Sequence, residues 1–306
     1  MIADRARPDF ALSINTLEIP RRAHPPKLDA KWALAEAAQC ILRETFAQFQ
    51  FNLNAFALSA DPEVLHQARV GWRRFKSVLR LFKLFPGMKT APPWQALQAL
   101  LVCMGDMRDL DVALHDTLPP LEAAYSGANA ERKQKWRAMT LALTQANSIQ
   151  RQALQAAFEN PETVTAIALT SRWIEALTVA NTGGTVKGRT HTRLRNWARR
   201  RLDRLNRELH RALQQTDTPA HEHQVRILAK RLRYSIELFR PLLAKQCWSN
   251  WYPEAMHLQS NLGAGRDLMQ ARLLIDRLDV DPGISAFLLK KIRGLNRDHH
   301  RLATLV

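Results

Sequence analysis

Acidic residues are scarce in this chain. It carries 28 Asp and Glu against 45 Lys and Arg, a formal charge of +17 over 306 residues. So little negative charge points to a polyanionic partner: nucleic acid, polyphosphate or an acidic membrane surface. Cysteine is rare too. Cys40, Cys103 and Cys247 form no C-x-x-C pair and cannot all pair within one chain. That argues against a disulfide framework and for free thiols in a reducing cytosol. No run approaches the ~20 apolar residues of a membrane helix. The start, Met1-Ile2-Ala3-Asp4-Arg5, lacks the apolar core of a signal peptide. No G-x-x-x-x-G-K-[ST] loop occurs, so nucleotide-triphosphate chemistry has no support. Alternating strand patterns are missing as well. What remains is 46% hydrophobic residues, enough for a sizeable core. The reading is an all-α, cytoplasmic protein with no membrane partner.

Residues 1–27 are aperiodic and hold Pro8, Pro20, Pro25 and Pro26; they read as an extended arm in which Arg21 and Arg22 are solvated. Asp29 is placed to cap a helix over about 30–58, and Asp61-Pro62-Glu63 to open the next, which stops at Pro86-Gly87. Further helices are expected from Pro92-Pro93 to Pro119-Pro120, over about 130–158 up to the Asn160-Pro161 break, and over about 162–179. Asn181-Thr182-Gly183-Gly184 marks the boundary between two halves, 28–182 and 183–306. The second half predicts helices over about 187–215, from Pro219 to near Pro241, through Leu258 to Asp267-Leu268, and from about Pro282 to His300. The eight tryptophans are scattered and read as core and helix-contact residues rather than a stacking platform for bases.

Two stretches stand out. His66-Gln67-Ala68-Arg69 is followed by Arg73, Arg74, Lys76 and Arg80; His223-Gln224-Val225-Arg226 is followed by Lys230, Arg231 and Arg233. At 100° per residue, His66, Arg69, Arg73, Lys76 and Arg80 share a helix face about 80° wide. Phe75, Val78, Leu79 and Phe82 fall opposite. In the second copy Val225, Leu228, Leu232, Ile236 and Phe239 make the apolar face. An exposed basic helix usually mixes signs through i,i+4 pairs. The first stripe has no acid in it, and a self-repelling face makes sense where a polyanion neutralises it. A third basic stripe lies on the predicted helix over 187–215, where Arg189, Arg193, Arg200, Arg204, Arg207 and Arg211 fall within about 60°.

The stripes recur in register. His66 and His223 are 157 residues apart, and Asp109 and Asp267, each in an R-D pair, are 158 apart. Two motifs repeating in order at nearly one offset argue for duplication of a four-helix unit. The pattern H-x-x-R-V-x-x-R-R-x-[RK], followed downstream by L-G or M-G-x-x-R-D, resembles the CHAD family, the conserved histidine α-helical domain, over about residues 28–303. The resemblance implies two antiparallel four-helix bundles about a pseudo-two-fold axis with a basic central channel. It implies non-catalytic binding of inorganic polyphosphate, association with polyphosphate granules and their proteins, and no cofactor. A stand-alone module is expected, since no E-x-E-x-K motif of a fused triphosphatase is present. Carried over by position, the ligand-binding residues are His66, Arg69, Arg73, Arg74, Lys76 and Arg80, with His223, Arg226, Lys230, Arg231 and Arg233. Glu237 stands where the first copy has Arg80 and is expected to pair a neighbouring cation. The denser second half is expected to carry more of the affinity.

Arginine suits such a ligand because its planar fork bonds phosphate oxygens bidentately and stays charged. Arg189, Arg193, Arg200, Arg204 and Arg207 join the candidate set for that reason. His66 and His223 are either phosphate ligands donating a ring N–H or helix-start residues packed against the other half. Asp109 and Asp267 are read as orienting an arginine of their own half rather than as catalytic. His115-Asp116 and His221-x-His223 are too sparse for a metal site. Two other functions fit the charge. A nucleic-acid binder would need base-edge contacts or stacking aromatics beside the stripes, and a metal-dependent polyphosphate hydrolase would need clustered acids.

Overall fold

The computed structural model describes residues 20–30, 32–83, 88, 90–92, 94–177, 194–214 and 219–303, with side chains for all of these except 219, 220, 222, 261–264 and 296–303. Among the described residues every regular element is a helix. The first half holds α1 (Leu34–Phe56), α2 (Pro62–Leu81), α3 (Gln98–Asp111), the short α4 (Glu122–Ser126), α5 (Ala130–Glu159) and α6 (Pro161–Ala176). The second holds α7 (Leu194–Leu213), α8 (Pro219–Phe239), α9 (Trp251–Arg277) and α10 (Pro282–Ala303). The expected boundary at 182–183 lies outside the described residues, as do the Pro86-Gly87 stop and the starts of the arm and of the 187–215 helix. No described helix is long and apolar enough to cross a membrane.

Four helix starts follow from single side chains. The Asp61 carboxylate accepts from the Glu63 backbone N–H at 2.8 Å, with Pro62 in the first turn where its missing N–H costs nothing. Asn129 caps α5 by accepting from Arg132 N–H at 2.9 Å, and Asn160 caps α6 by accepting from Glu162 N–H at 2.9 Å. Asp281 caps α10 through the N–H groups of Gly283 and Ile284. The start of α1 differs from expectation. Asp29 does not cap it; the helix begins five residues later at Leu34, and Glu36 reaches back to accept from Ala33 N–H at 2.9 Å. The arm is also not wholly solvated. Arg21 exchanges backbone hydrogen bonds with the Asn52 side chain and pairs with Glu44 at 2.9 Å.

Helices pair in a repeated order: α1 packs on α2 and α3 on α5, as α7 packs on α8 and α9 on α10. The α1–α2 contact is close because residue 71 is glycine. A Cβ there would lie 2.6 Å from the Phe49 backbone nitrogen, an approach only Gly permits. Around it Phe46, Phe49, Trp72, Phe75, Trp94 and Trp173 form a run of ring contacts. Phe75 is fully buried, and its replacement by Ala would cost about 3–5 kcal/mol.

Two apolar cores result, and each draws on both halves of the chain. One joins α1 and α2 to α7 and α8, and includes a stacked Phe82–Trp197 pair with ring centres 4.7 Å apart. The other joins the end of α3 and α5 to α9 and α10 through Leu110, Met139, Leu143, Ile275, Ile284 and Leu288. The tryptophans thus serve core and helix contacts, as their scatter suggested. α3 continues through a π-helical stretch, Val112–Thr117, that packs on α9. α9 itself runs on to Arg277, past the end expected at Asp267-Leu268.

Candidate anion-binding site

The apolar faces of α2 and α8 decide where the basic ones go. Val64, Leu65, Ala68, Trp72, Phe75 and Val78 are buried on α2, and Val225, Leu228, Ala229, Leu232 and Ile236 on α8. With those faces in the core and the two helices in contact, the cationic flanks of both turn toward one region. α3 and α9, which also touch, add their R-D pairs to it.

Lys230 sits at the middle. Its ammonium is pushed down to about 7, first by burial and then by Arg226, Arg73, Arg266 and Arg233, which come from α8, α2 and α9. Arg69 is pushed down to about 10 by burial and by Arg73, Arg108 and Arg266, against the opposing pull of Asp109. Burial and Arg266 also lower Arg226, which Asp267 partly offsets. Arg108 is held by Asp116, 3.3 Å away on the π-helical stretch. Asp116 is therefore an arginine partner, and its neighbour His115 is exposed. Asp111 accepts from Asn147 Nδ2 at 2.9 Å. Among the described residues no three His, Cys, Asp or Glu groups gather as a metal site would require.

The R-D carboxylates feel arginines of both halves, without an ion pair to any of them. Asp109 lies beside Arg69 of its own half and Arg266 of the other; Asp267 lies beside Arg226 of its own half and Arg108 of the other. Burial raises both carboxyls above their ordinary values, with the arginines pulling the other way. Gly105, in the same motif, makes room for this: a Cβ there would stand 3.2 Å from a guanidinium nitrogen of Arg69.

The arginines here are short of acceptors. The Nε atoms of Arg73, Arg226 and Arg231 are buried with no hydrogen-bond partner. A buried donor left unmade costs on the order of 1–3 kcal/mol, so the arrangement is strained by charge and by unmet hydrogen bonds alike. A ligand offering many anionic oxygens relieves both.

The remaining candidates divide. His66 is half-buried and its imidazole is pushed down to about 4 by burial and by Arg108, Arg73 and Arg69, so it is neutral at ordinary pH. His223, its counterpart, is exposed. Arg74 is 3% exposed and faces Glu237 and Glu44 rather than the shared region. Glu237 pairs as expected, with Arg233 at 3.6 Å, and also accepts from the Tyr252 hydroxyl at 3.2 Å. Lys76 and Arg80 are exposed near one end. Arg200, Arg204 and Arg207 are exposed on the face of α7 away from Leu194, Ala198, Leu202, Leu205 and Leu209. Arg189 and Arg193 lie outside the described residues. The α7 arginine that neighbours the stripes is Arg201, half-buried beside Arg231, which the stripe rule passed over. Arg108 and Arg266, the arginines of the R-D pairs, also neighbour the stripes and are not among the sequence candidates.

The CHAD domain family model matches residues 40–276. A crystal structure of the CHAD domain from the plant Ricinus communis is similar at 27% identity and a TM-score of 0.72, over 92% of each chain. No curated protein matches.

Proposed function

The chain belongs to the CHAD domain family, and on that footing we propose that it binds inorganic polyphosphate, without catalysis, in a channel between two duplicated four-helix bundles related by a pseudo-two-fold axis. One observation carries the reading. Lys230 has cations from three helices of both halves as neighbours, and Asp267 lies near it. Such a cluster is costly when empty of anions and favourable when a chain of phosphates runs through it.

The chemistry divides among named groups. Arg69, Arg73, Arg226 and Arg266 offer guanidinium forks to successive phosphates. Lys230 supplies a point charge that a phosphate neighbour restores to its protonated form. Asp109 and Asp267 hold the arginines of α2, α8 and α9 apart before the ligand arrives. Neutral His66 donates one ring N–H. Among the described residues most aromatic side chains pack in the two cores, which favours a ligand of phosphate alone over a base. Association with polyphosphate granules follows if the ligand is a long chain and the protein decorates it.

The test is a titration of polyphosphate of defined length against single-stranded DNA and RNA at one ionic strength, with phosphate release followed in Mg²⁺ and Mn²⁺. Polyphosphate should displace either nucleic acid at low excess, and no phosphate should appear. Preferential nucleic-acid binding would replace this reading with a nucleic-acid interface, and metal-dependent release would replace it with a hydrolase.

A further inference from the structure

The two copies of the basic motif meet at their flanks in a way that their sequences alone do not suggest. At the 157-residue offset Arg74 corresponds to Arg231, Glu237 to Arg80, and Arg201 to Glu44. The structure sets these six residues in two like groups. Arg74 lies beside Glu237 and Glu44; Arg231 lies beside Arg80 and Arg201. The partner positions match across the offset and both counter-charges are reversed. On the first flank the arginine is 3% exposed, and its carboxylates are themselves held by Arg21 at 2.9 Å and by Arg233 and Tyr252. That flank is closed and neutralised. On the second, Arg231 lies beside both Arg80 and Arg201, Glu208 lies near Arg231 and Arg201, and Lys76 neighbours Arg80 as Arg204 neighbours Arg201. The Nε atoms of both Arg201 and Arg231 are buried without a hydrogen-bond partner. Two arginines with orphaned buried donors, turned toward a third, make a built anion site.

Resting on the proposed polyphosphate reading, we propose that Arg80, Arg201 and Arg231 form a phosphate-binding exit site, so that a long polyphosphate leaves the inner cluster by this flank only and continues along α7. The path is continuous in charge. Arg73 neighbours Lys230, Arg80 neighbours Arg231, Arg231 neighbours Arg201, and Arg201 neighbours Arg204. Arg69 to Arg80 alone spans about 16 Å along α2. Beyond Arg204 the exposed Arg207 and Arg211 continue the row. The ion-paired flank around Arg74 offers no such continuation, because its carboxylates repel phosphate. The chain is therefore held asymmetrically, with one end of the inner segment blocked.

The experiment uses the full chain and two probes, long-chain polyphosphate and tripolyphosphate, with Arg80→Glu and Arg201→Gln made singly and together. Arg80→Glu gives the open flank the acid that Glu237 gives the closed one. It should raise the thermal midpoint of the ligand-free protein while lowering long-chain affinity by about tenfold or more. The double variant should also flatten the salt dependence of long-chain binding, by about 0.7 for each phosphate that is no longer neutralised. Tripolyphosphate, which fits within the inner cluster, should lose less than about threefold. Unchanged long-chain affinity in a folded double variant, or equal losses for both probes, overturns the exit site and leaves the function reading standing. Failure of the unmodified protein to bind either probe overturns the function reading itself.

Discussion

At matching register α2 carries Arg73 and α8 carries Lys230; α2 carries His66 half-buried and α8 carries His223 exposed. The motif is one motif, yet the two copies differ in charge behaviour. On α2 the central cation is a guanidinium, a group that stays charged in arginine side chains as a class. On α8 it is an ammonium pushed down to about 7 by burial and four arginines. A duplicated sequence therefore need not give duplicated electrostatics. Each copy contributes to one shared cluster, and a residue's protonation is set by what the other copy, α3 and α9 bring to it. On the proposed reading the two copies are complementary parts of one site rather than two sites.

The largest expected effect tests that sharing. Arg73→Ala with Lys230→Ala takes the central cation from each copy and should cost about 100-fold or more in long-chain polyphosphate affinity, at about 1.5–3 kcal/mol per charged contact. Helicity by circular dichroism should be unchanged, since neither side chain is on an apolar face. If a single variant weakens only part of the binding and leaves a second class of sites at unchanged affinity, the copies do not share a ligand. Salt should act nearly as strongly. With about −0.7 per phosphate neutralised, the log–log slope of affinity against ionic strength should be at least about −4. A nearly flat plot means the cluster is not where the ligand sits.

Much of this could be read from the residues alone. Asp61-Pro62 and Asn160-Pro161 carry their own helix starts, and the 3.6-residue spacing of Leu65, Ala68, Trp72 and Phe75 orients α2 without any structure. Asp29 misled because a capping side chain was available, while Glu36, reaching backward, caps at a position a forward reading passes over. Arg201 was missed for a geometric reason. A stripe rule selects residues directly opposite the apolar face, such as Arg200 and Arg207, and these point to solvent. Residues that meet a neighbouring helix lie on the flank, about 100° away, where Arg201 is. Arg74 was gathered in by adjacency to Arg73, but one residue's rotation carries it to the interior. The π-helical stretch that turns Asp116 back to Arg108 has no sequence signature in the residues Val112–Thr117. That both cores draw on both halves follows from long-range packing that no local pattern contains.

The contrast between the copies extends to pH. Lys230 faces Arg226 and Arg233 on its own helix, Arg73 on α2, and Arg266 and Asp267 on α9. A bound phosphate favours the charged ammonium, so above about pH 7 binding takes up a proton. Affinity should then fall as pH rises past 7, by up to about tenfold per unit. Lys230→Arg should abolish that fall, because a guanidinium needs no proton. Titration calorimetry in buffers of different ionisation enthalpy reads the uptake directly. A pH-independent affinity in the unmodified protein would show that Lys230 makes no contact with the ligand.

The smallest effect is on the ligand-free fold, and its sign follows from the same residue. Unfolded, Lys230 titrates at the ordinary lysine value of 10.5; folded, it does so at about 7. Below pH 7 both states hold the proton, and the cost of keeping that charge among arginines is fully present. Between about 7 and 10.5 the unfolded state binds more protons than the folded one, so ligand-free stability rises with pH across that window. Lys230→Met keeps the apolar stem and removes the charge. It should therefore stabilise the ligand-free protein, by about 1–2 kcal/mol after allowing for partial solvent screening. That gain should be largest below pH 7 and should shrink toward pH 10.5. The matching change on α2, Arg73→Met, removes a cation that stays charged throughout and should give a gain with no such slope. Urea unfolding of both variants at pH 6.5 and 9 measures the contrast. Parallel pH dependences in the two variants would mean that α2 and α8 contribute alike, and that the asymmetry at the centre of the cluster does not act on the fold.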